Sequence, residues 1–141
     1  MAAYNKFNVT VLDLSNGKHN LGADTLKVML TNTAPVATNA VKADITEIAA
    51  GNGYPAGGTA VTAVSNTQTA GVQKLVATGP TFTAAGGTIG PFRYAVLYND
   101  TQTSPAKPLI GWWDYGSAIT LAIGETFTVQ YDATNGIEQL S

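Results

Sequence analysis

Cysteine is absent from the chain, which excludes disulfides, thiolate metal sites and cysteine nucleophiles. Charge is scarce too. Lys, Arg, Asp and Glu make up 11% of the residues, against roughly 25% in an average soluble protein. The surface expected from this is neutral and polar, the kind carried by a component of an assembly or by a low-charge surface β-domain. The seven basic residues are scattered, Arg93 is the only arginine, and the net charge is −2. No basic stripe exists to neutralise phosphates, so a nucleic-acid partner is not expected. No stretch approaches the roughly 20 apolar residues that cross a bilayer, and Met1–Lys6 lacks the basic head and apolar run of a secretory signal. A soluble product made in the cytoplasm, with no membrane partner, is the expectation.

Histidine is nearly absent as well. His19 stands alone between Lys18 and Asn20 and reads as a surface-loop residue rather than a ligand or a general base. The nine acidic residues are spread singly, and those near Asp13, Asp24 and Asp100 lack the alternating oxygen ligands of a calcium loop. Asp114 could meet Glu125 or Asp132 in space as a carboxylate pair, but no acid, base or nucleophile constellation is recognisable. No catalytic residue, metal ligand or cofactor site is assigned, and the chain is not expected to be an enzyme. Gly51–Gly58 is rich in glycine but lacks the Lys-Ser/Thr and the strand-to-helix context of a phosphate-binding loop. It reads as a connection with Tyr54 packed back on the domain.

What the chain does have is β-pattern. In Gly90–Asp100, Phe92, Tyr94, Val96 and Tyr98 share one parity, and Ala95 and Leu97 the other. Apolar residues on both faces mark a central strand. Leu109–Tyr115 is its natural antiparallel partner. Trp112 and Trp113, adjacent in that partner, should point to opposite faces, one into the core and the other onto a second buried face or a surface where it could anchor a protein or a sugar. Phe7, Val9 and Val11 suggest a strand by their alternation and β-branching, although Phe7, Val11 and Leu14 also fit a helical stripe. Thr25–Asn32 reads as a half-buried strand with Leu26, Val28 and Leu30 inward. A short helical turn is expected near Ala43–Ala49. Thr59–Ser65 and Val72–Thr78 form a hairpin around an Asn66–Gly71 loop, Thr81–Thr83 is a short strand, Thr126–Tyr131 is a last long strand with one wet face, and Ile137–Leu140 is a closing edge.

Short strands with turn residues between them predict an all-β fold, an antiparallel β-sandwich or small barrel with at most a short helical turn. The 141 residues suit one domain, with residues 1–6 readable as an N-terminal arm. The arm and the Gly51–Gly58 loop carry apolar or aromatic residues poorly placed for a private core, which makes Tyr4, Phe7 and Tyr54, with Trp112, the candidate protein-contact residues.

The runs Asn20–Thr31, Phe92–Asp100, Pro108–Gly116 and Gly124–Phe127 together resemble a family of small tailed-bacteriophage virion structural proteins, across about Phe7 to Leu140. The resemblance implies a head decoration, or cement, protein that binds the outside of the expanded capsid, partners the major capsid protein, forms a homo-oligomer, often a trimer, and resides in the virion after assembly in the host cytoplasm. A tail-side or fibre-base component is the alternative. A carbohydrate-binding β-sandwich using Trp112 or Trp113 is a third reading.

Overall fold

β7 (Ile89–Asn99) is the middle strand of a five-stranded antiparallel sheet. Its neighbours are β8 (Leu109–Leu121) and β2 (Leu26–Thr31), flanked in turn by β1 (Tyr4–Lys6) and β3 (Thr59–Ala60). A computed structural model describes residues 2–132 and 134–140, with the backbone alone at Ala63. Two smaller antiparallel sheets complete the fold. One has the order β10-β5-β4, from β4 (Thr62–Thr69), β5 (Val72–Thr78) and β10 (Glu138–Leu140). The other pairs β6 (Thr81–Thr83) with β9 (Thr126–Thr128). The architecture is all-β and sandwich-like, and no closed barrel forms among the described residues.

The large sheet is buried on both faces because its strands are apolar at both parities. On one face Leu26, Val28, Leu30, Phe92, Leu97 and Trp113 join Leu75 and Phe82 from the smaller sheets, and Val129 and Ile137 from the chain flanking them, in the main core. On the other, Met29, Val96, Tyr98 and Leu109 pack with Phe7, and Ile45 and Trp112 close over them. β2 is therefore not half-buried as its alternation suggested. Met29 and Thr31 on its supposedly wet face are 0% exposed.

Phe92 lies in the main core with Leu97 rather than sharing a face with Val96 and Tyr98. The cause is an irregularity in the β7–β8 ladder, where the register shifts between Phe92 and Tyr94. Such a shift moves a side chain to the opposite face. A second shift, between Leu97 and Tyr98, leaves Ile110 as an extra residue on β8, and this bulge lets Ile110 and Trp113 both reach the main core.

Phe7 covers part of the second face, and the segment that follows it, expected to be a strand, is not one. Val9–Ser15 is a helix, α1, whose buried residues, Thr10 and Asp13, continue from buried Phe7 at a spacing of three. The Thr10 hydroxyl donates to the Ile110 carbonyl at 2.7 Å, pinning the helix to β8. Burial of Phe7 over the sheet outweighs the β-branched propensity of Val9, Thr10 and Val11. The helical turn expected at Ala43–Ala49 is a single 3₁₀ turn at Lys42–Asp44, with the Asp44 carboxylate accepting from the Ala40 and Val41 N–H groups.

From Gly58 the chain passes from one layer to the other. Val28 pairs with Thr59 and Lys27 with Ala60, and after Val61 the backbone enters β4. Gly58 has φ 78°, and a Cβ there would run into the Val28 carbonyl, so this close approach requires glycine. β4 then continues to Thr69, and only Ala70 and Gly71 turn, so the expected six-residue loop is mostly strand. At the C-terminal side the ladder of the expected Thr126–Tyr131 strand stops at Thr128, although the alternation holds: Val129 is buried and Gln130 exposed.

Candidate interaction surfaces

The four residues singled out as protein contacts have different fates. Phe7 is 0% exposed and its ring centroid is 4.6 Å from that of Trp112. Tyr54 is 2% exposed. Both belong to the private core, so the premise that they are poorly placed for one is corrected. Tyr54 is fixed by two polar links. Its hydroxyl accepts from the Leu30 N–H at 3.0 Å and donates to Glu47 Oε1 at 2.7 Å. Glu47 Oε1 also accepts from the Gly57 N–H at 2.6 Å, so one carboxylate clamps the glycine-rich loop at its middle and near its C-terminal end.

Tyr4 and Trp112 are half-buried. Tyr4 lies over Gly111, where any Cβ would meet its ring, and its ring centroid is 5.2 Å from that of Trp113. Its hydroxyl donates to Glu138 Oε2 at 3.4 Å. Burial, then the neighbouring Glu138 charge, pushes the Tyr4 phenol well up, and burial also raises the Glu138 carboxyl against the opposing pull of Lys6. The adjacent tryptophans do face opposite ways: Trp113 enters the main core and Trp112 packs on the second.

The outward large apolar side chains among the described residues are aliphatic rather than aromatic. Val11 and Leu12 on α1 are 45% and 57% exposed and Val36 is 56% exposed. Val36 adjoins Ala37, whose carbonyl accepts from the Asn8 N–H before the helix. Ile123, at the turn into β9, and Leu140, on β10, are the other large exposed apolar residues among those described. The helical stripe of Phe7, Val11 and Leu14 puts Val11 inward, whereas the helix buries Thr10 and Asp13 instead, and Val11 and Leu12 face outward.

His19 is not a surface-loop residue. It is 6% exposed, and its Nδ1 faces Asn99 Nδ2 at 3.1 Å, which makes Nδ1 the acceptor. Asn99 is 0% exposed and uses both ends of its amide. Nδ2 also donates to Asp24 Oδ2 at 2.7 Å, and Oδ1 accepts from the Thr101 and Gln102 N–H groups. Asp24 Oδ2 accepts in addition from the Asn20 N–H. One buried amide thereby ties three chain segments at the end of β7. Desolvation lowers the His19 pKa, with Asp13 and Asp24 pulling the other way.

Asp13 is buried with its Oδ2 unpartnered, while Asp114, Glu125, Asp132 and Asp100 are committed locally. Arg93 makes a two-pronged pair with Asp114, at 2.8 and 3.0 Å. Glu125 accepts from the Ala122 N–H and Asp132 from the Thr134 and Asn135 N–H groups. Asp100 receives both Lys27 and Lys107, which hold its carboxyl below the usual range. Among the described residues, no group of three His, Asp or Glu side chains could hold a metal ion. A shallow groove of about 450 Å³ runs past Ala2, Asp114, Tyr115, Thr128 and Gln130. Its acid, Asp114, is neutralised by Arg93, so it presents hydrogen-bonding groups without a general acid or base.

Comparison of the chain with protein-family models, with curated proteins and with solved structures found no match.

Proposed function

We propose that this chain is a structural protein of a tailed-phage virion, a capsid decoration protein that binds the outer surface of the head and stabilises it. The observation that carries this is the neighbourhood of the segments on which the resemblance rests. Asn20–Thr31, Phe92–Asp100 and Pro108–Gly116 are β2, β7 and β8 with their joining loops, paired side by side and bound together by Asn99. They form a framework, and the contact residues lie outside it. In this reading the major capsid protein meets the exposed aliphatic face of Val11 and Leu12 with Val36 beside it. A low-charge surface adds little desolvation cost at such a junction, and many weak copies act together on the particle.

The test is to mix the purified chain with expanded capsids that lack it and to image the particles by cryo-electron microscopy. Ordered density at local symmetry axes of the head, lost with Leu12→Asp combined with Val36→Asp, is the expected result. Bare heads with density at the tail would replace this function by a tail-side one. Bare particles throughout would remove the virion reading.

A further inference from the structure

We infer that the free edge of β4 is a self-association site, at which two copies of this chain pair β4 against β4, antiparallel, into one continuous six-stranded sheet. The inference stands independently of the virion reading. β4 is the outer strand of its sheet, eight residues long. Beyond Val61, whose N–H donates to the Leu26 carbonyl, no loop of the described residues bonds its backbone.

Which backbone groups are free follows from the hairpin. Ala70 and Gly71 both have positive φ, 51° and 81°, which is a two-residue turn of the primed type. The pair that flanks it, Thr69 and Val72, exchanges hydrogen bonds, and alternate pairs then do the same. Asn66 and Gln68 fall in the non-bonded set, so their N–H and C=O groups point to the open edge. The far side of β5 agrees. The Leu75 carbonyl accepts from the Ile137 N–H, so Leu75 turns away from its partner Asn66.

Natural sheets guard such an edge with charge, proline, bulges or shortness. From Ser65 to Thr69 β4 has none of these: the residues are Ser, Asn, Thr, Gln and Thr, and the one register shift lies before Ser65. The nearest cation, Lys74, sends its amine away to the Thr134 carbonyl at 2.6 Å. The other edges are defended. β1, β6, β9 and β10 have three residues each and β3 two, and the open side of β8 past Trp113 is broken at Gly116, φ 88°, whose N–H is taken by Asp114.

A second copy is the occupant that matches this edge. It brings the same alternation of free groups, so a two-fold axis at Asn66 or at Thr67 aligns donors with acceptors, and it sets hydroxyls and amides opposite one another with no charge opposed to charge. Ser65 to Gly71 are all exposed, with the Gly22 turn beside Asn66, which leaves the backbone edge itself open to a second copy. One edge buries less than the roughly 1,200 Å² of a stable complex, so the dimer is weak and concentration-dependent.

Sedimentation of the purified chain from about 10 µM to about 1 mM should show monomer passing into dimer. In NMR spectra over the same range the amides of Asn66 and Gln68 should shift while those of Thr67 and Thr69, already bonded to β5, hold still. The double substitution Ser65→Glu with Thr67→Glu puts like charges across the pairing at either axis, while within the chain Thr67 faces Lys74 and the hairpin is kept. It should weaken the dimer at least ten-fold with an unchanged melting curve. Mixing it with Ser65→Lys plus Thr67→Lys should restore a mixed dimer. A wild-type chain that stays monomeric at about 1 mM, a Glu variant that dimerises as well as wild type, or a loss that mixing does not rescue would each overturn the proposal.

Discussion

The sheet around β7 and the hairpin β4–β5 are both antiparallel, yet they are held by different forces. Around β7 each face is covered, and Leu30, Ala95, Val96 and Leu97 are all 0% exposed, so burial of apolar surface fixes register and position. From Ser65 to Gly71 the hairpin is wet on both sides, and its order rests on ladder hydrogen bonds and a tight turn, each worth little net against water. One region has spent its surface on the fold. The other keeps backbone and side-chain groups for a partner.

The comparison is broken most forcefully at Phe7. Phe7→Ala empties the junction between α1 and the second core, and a buried Phe-to-Ala change costs about 3 to 5 kcal/mol. Chemical denaturation of the isolated chain should show that loss, while Thr67→Ala in the hairpin should stay within about 0.5 kcal/mol. Equal losses at the two sites would mean that Phe7 is a surface contact after all. Asn99→Ala comes next. It deprives His19, Asp24 and the Thr101 and Gln102 N–H groups of their shared partner, at about 2 to 3 kcal/mol. Hydrogen exchange should then quicken in the Thr101–Lys107 loop and leave the β4–β5 hairpin unchanged.

The same contrast explains what the sequence reveals and what it conceals. Phe92–Asn99 and Leu109–Tyr115 announce their pairing because aromatic and branched residues occupy both parities, and burial on two faces leaves no other arrangement. α1 is hidden behind β-branched Val9, Thr10 and Val11, whose local preference yields to the anchoring of Phe7. The far half of β4 is hidden for the opposite reason: a strand wet on both faces has no apolar alternation, so Asn66–Thr69 looks like loop. His19 reads as surface because polar residues usually are, and only the fold brings it to the buried Asn99 amide. Ranking contact residues by aromaticity picked Phe7 and Tyr54, yet large rings are also what a core uses, and the exposed aliphatics of α1 carried no such mark.

A smaller effect belongs to pH. Burial holds the His19 pKa below its usual 6.5, so below that pH the unfolded chain binds a proton that the folded chain resists. Stability is therefore complete above about 6.5 and falls as pH drops from there to the folded pKa. Glu138 acts in the opposite sense, since burial raises its pKa above 4.5 and the folded state gains as it protonates. The difference between wild type and His19→Gln isolates the histidine. Thermal melts at pH 7.5 and 5.5 should converge for the variant relative to wild type, and a His19→Gln chain with the wild-type slope would rule the histidine out as its source.

The smallest effect sharpens the hairpin itself. Ala70 sits at φ 51°, a left-handed position that costs an ordinary L-residue about 1 kcal/mol, and the strongest two-residue turn of this type is Asn-Gly. Ala70→Asn before Gly71 should relieve part of that cost and stabilise the chain by about 0.5 kcal/mol, a rise of roughly 1 to 2 °C in melting temperature. The gain should leave protection in β7 and β8 unchanged and slow exchange at Thr67 and Thr69, whose N–H groups face β5. If the turn limits hairpin order, the same substitution also strengthens pairing at the open β4 edge, because a partner strand no longer has to organise the hairpin on binding. A stabilised hairpin with unaltered dimerisation would instead show that the edge is already fully formed in the single chain.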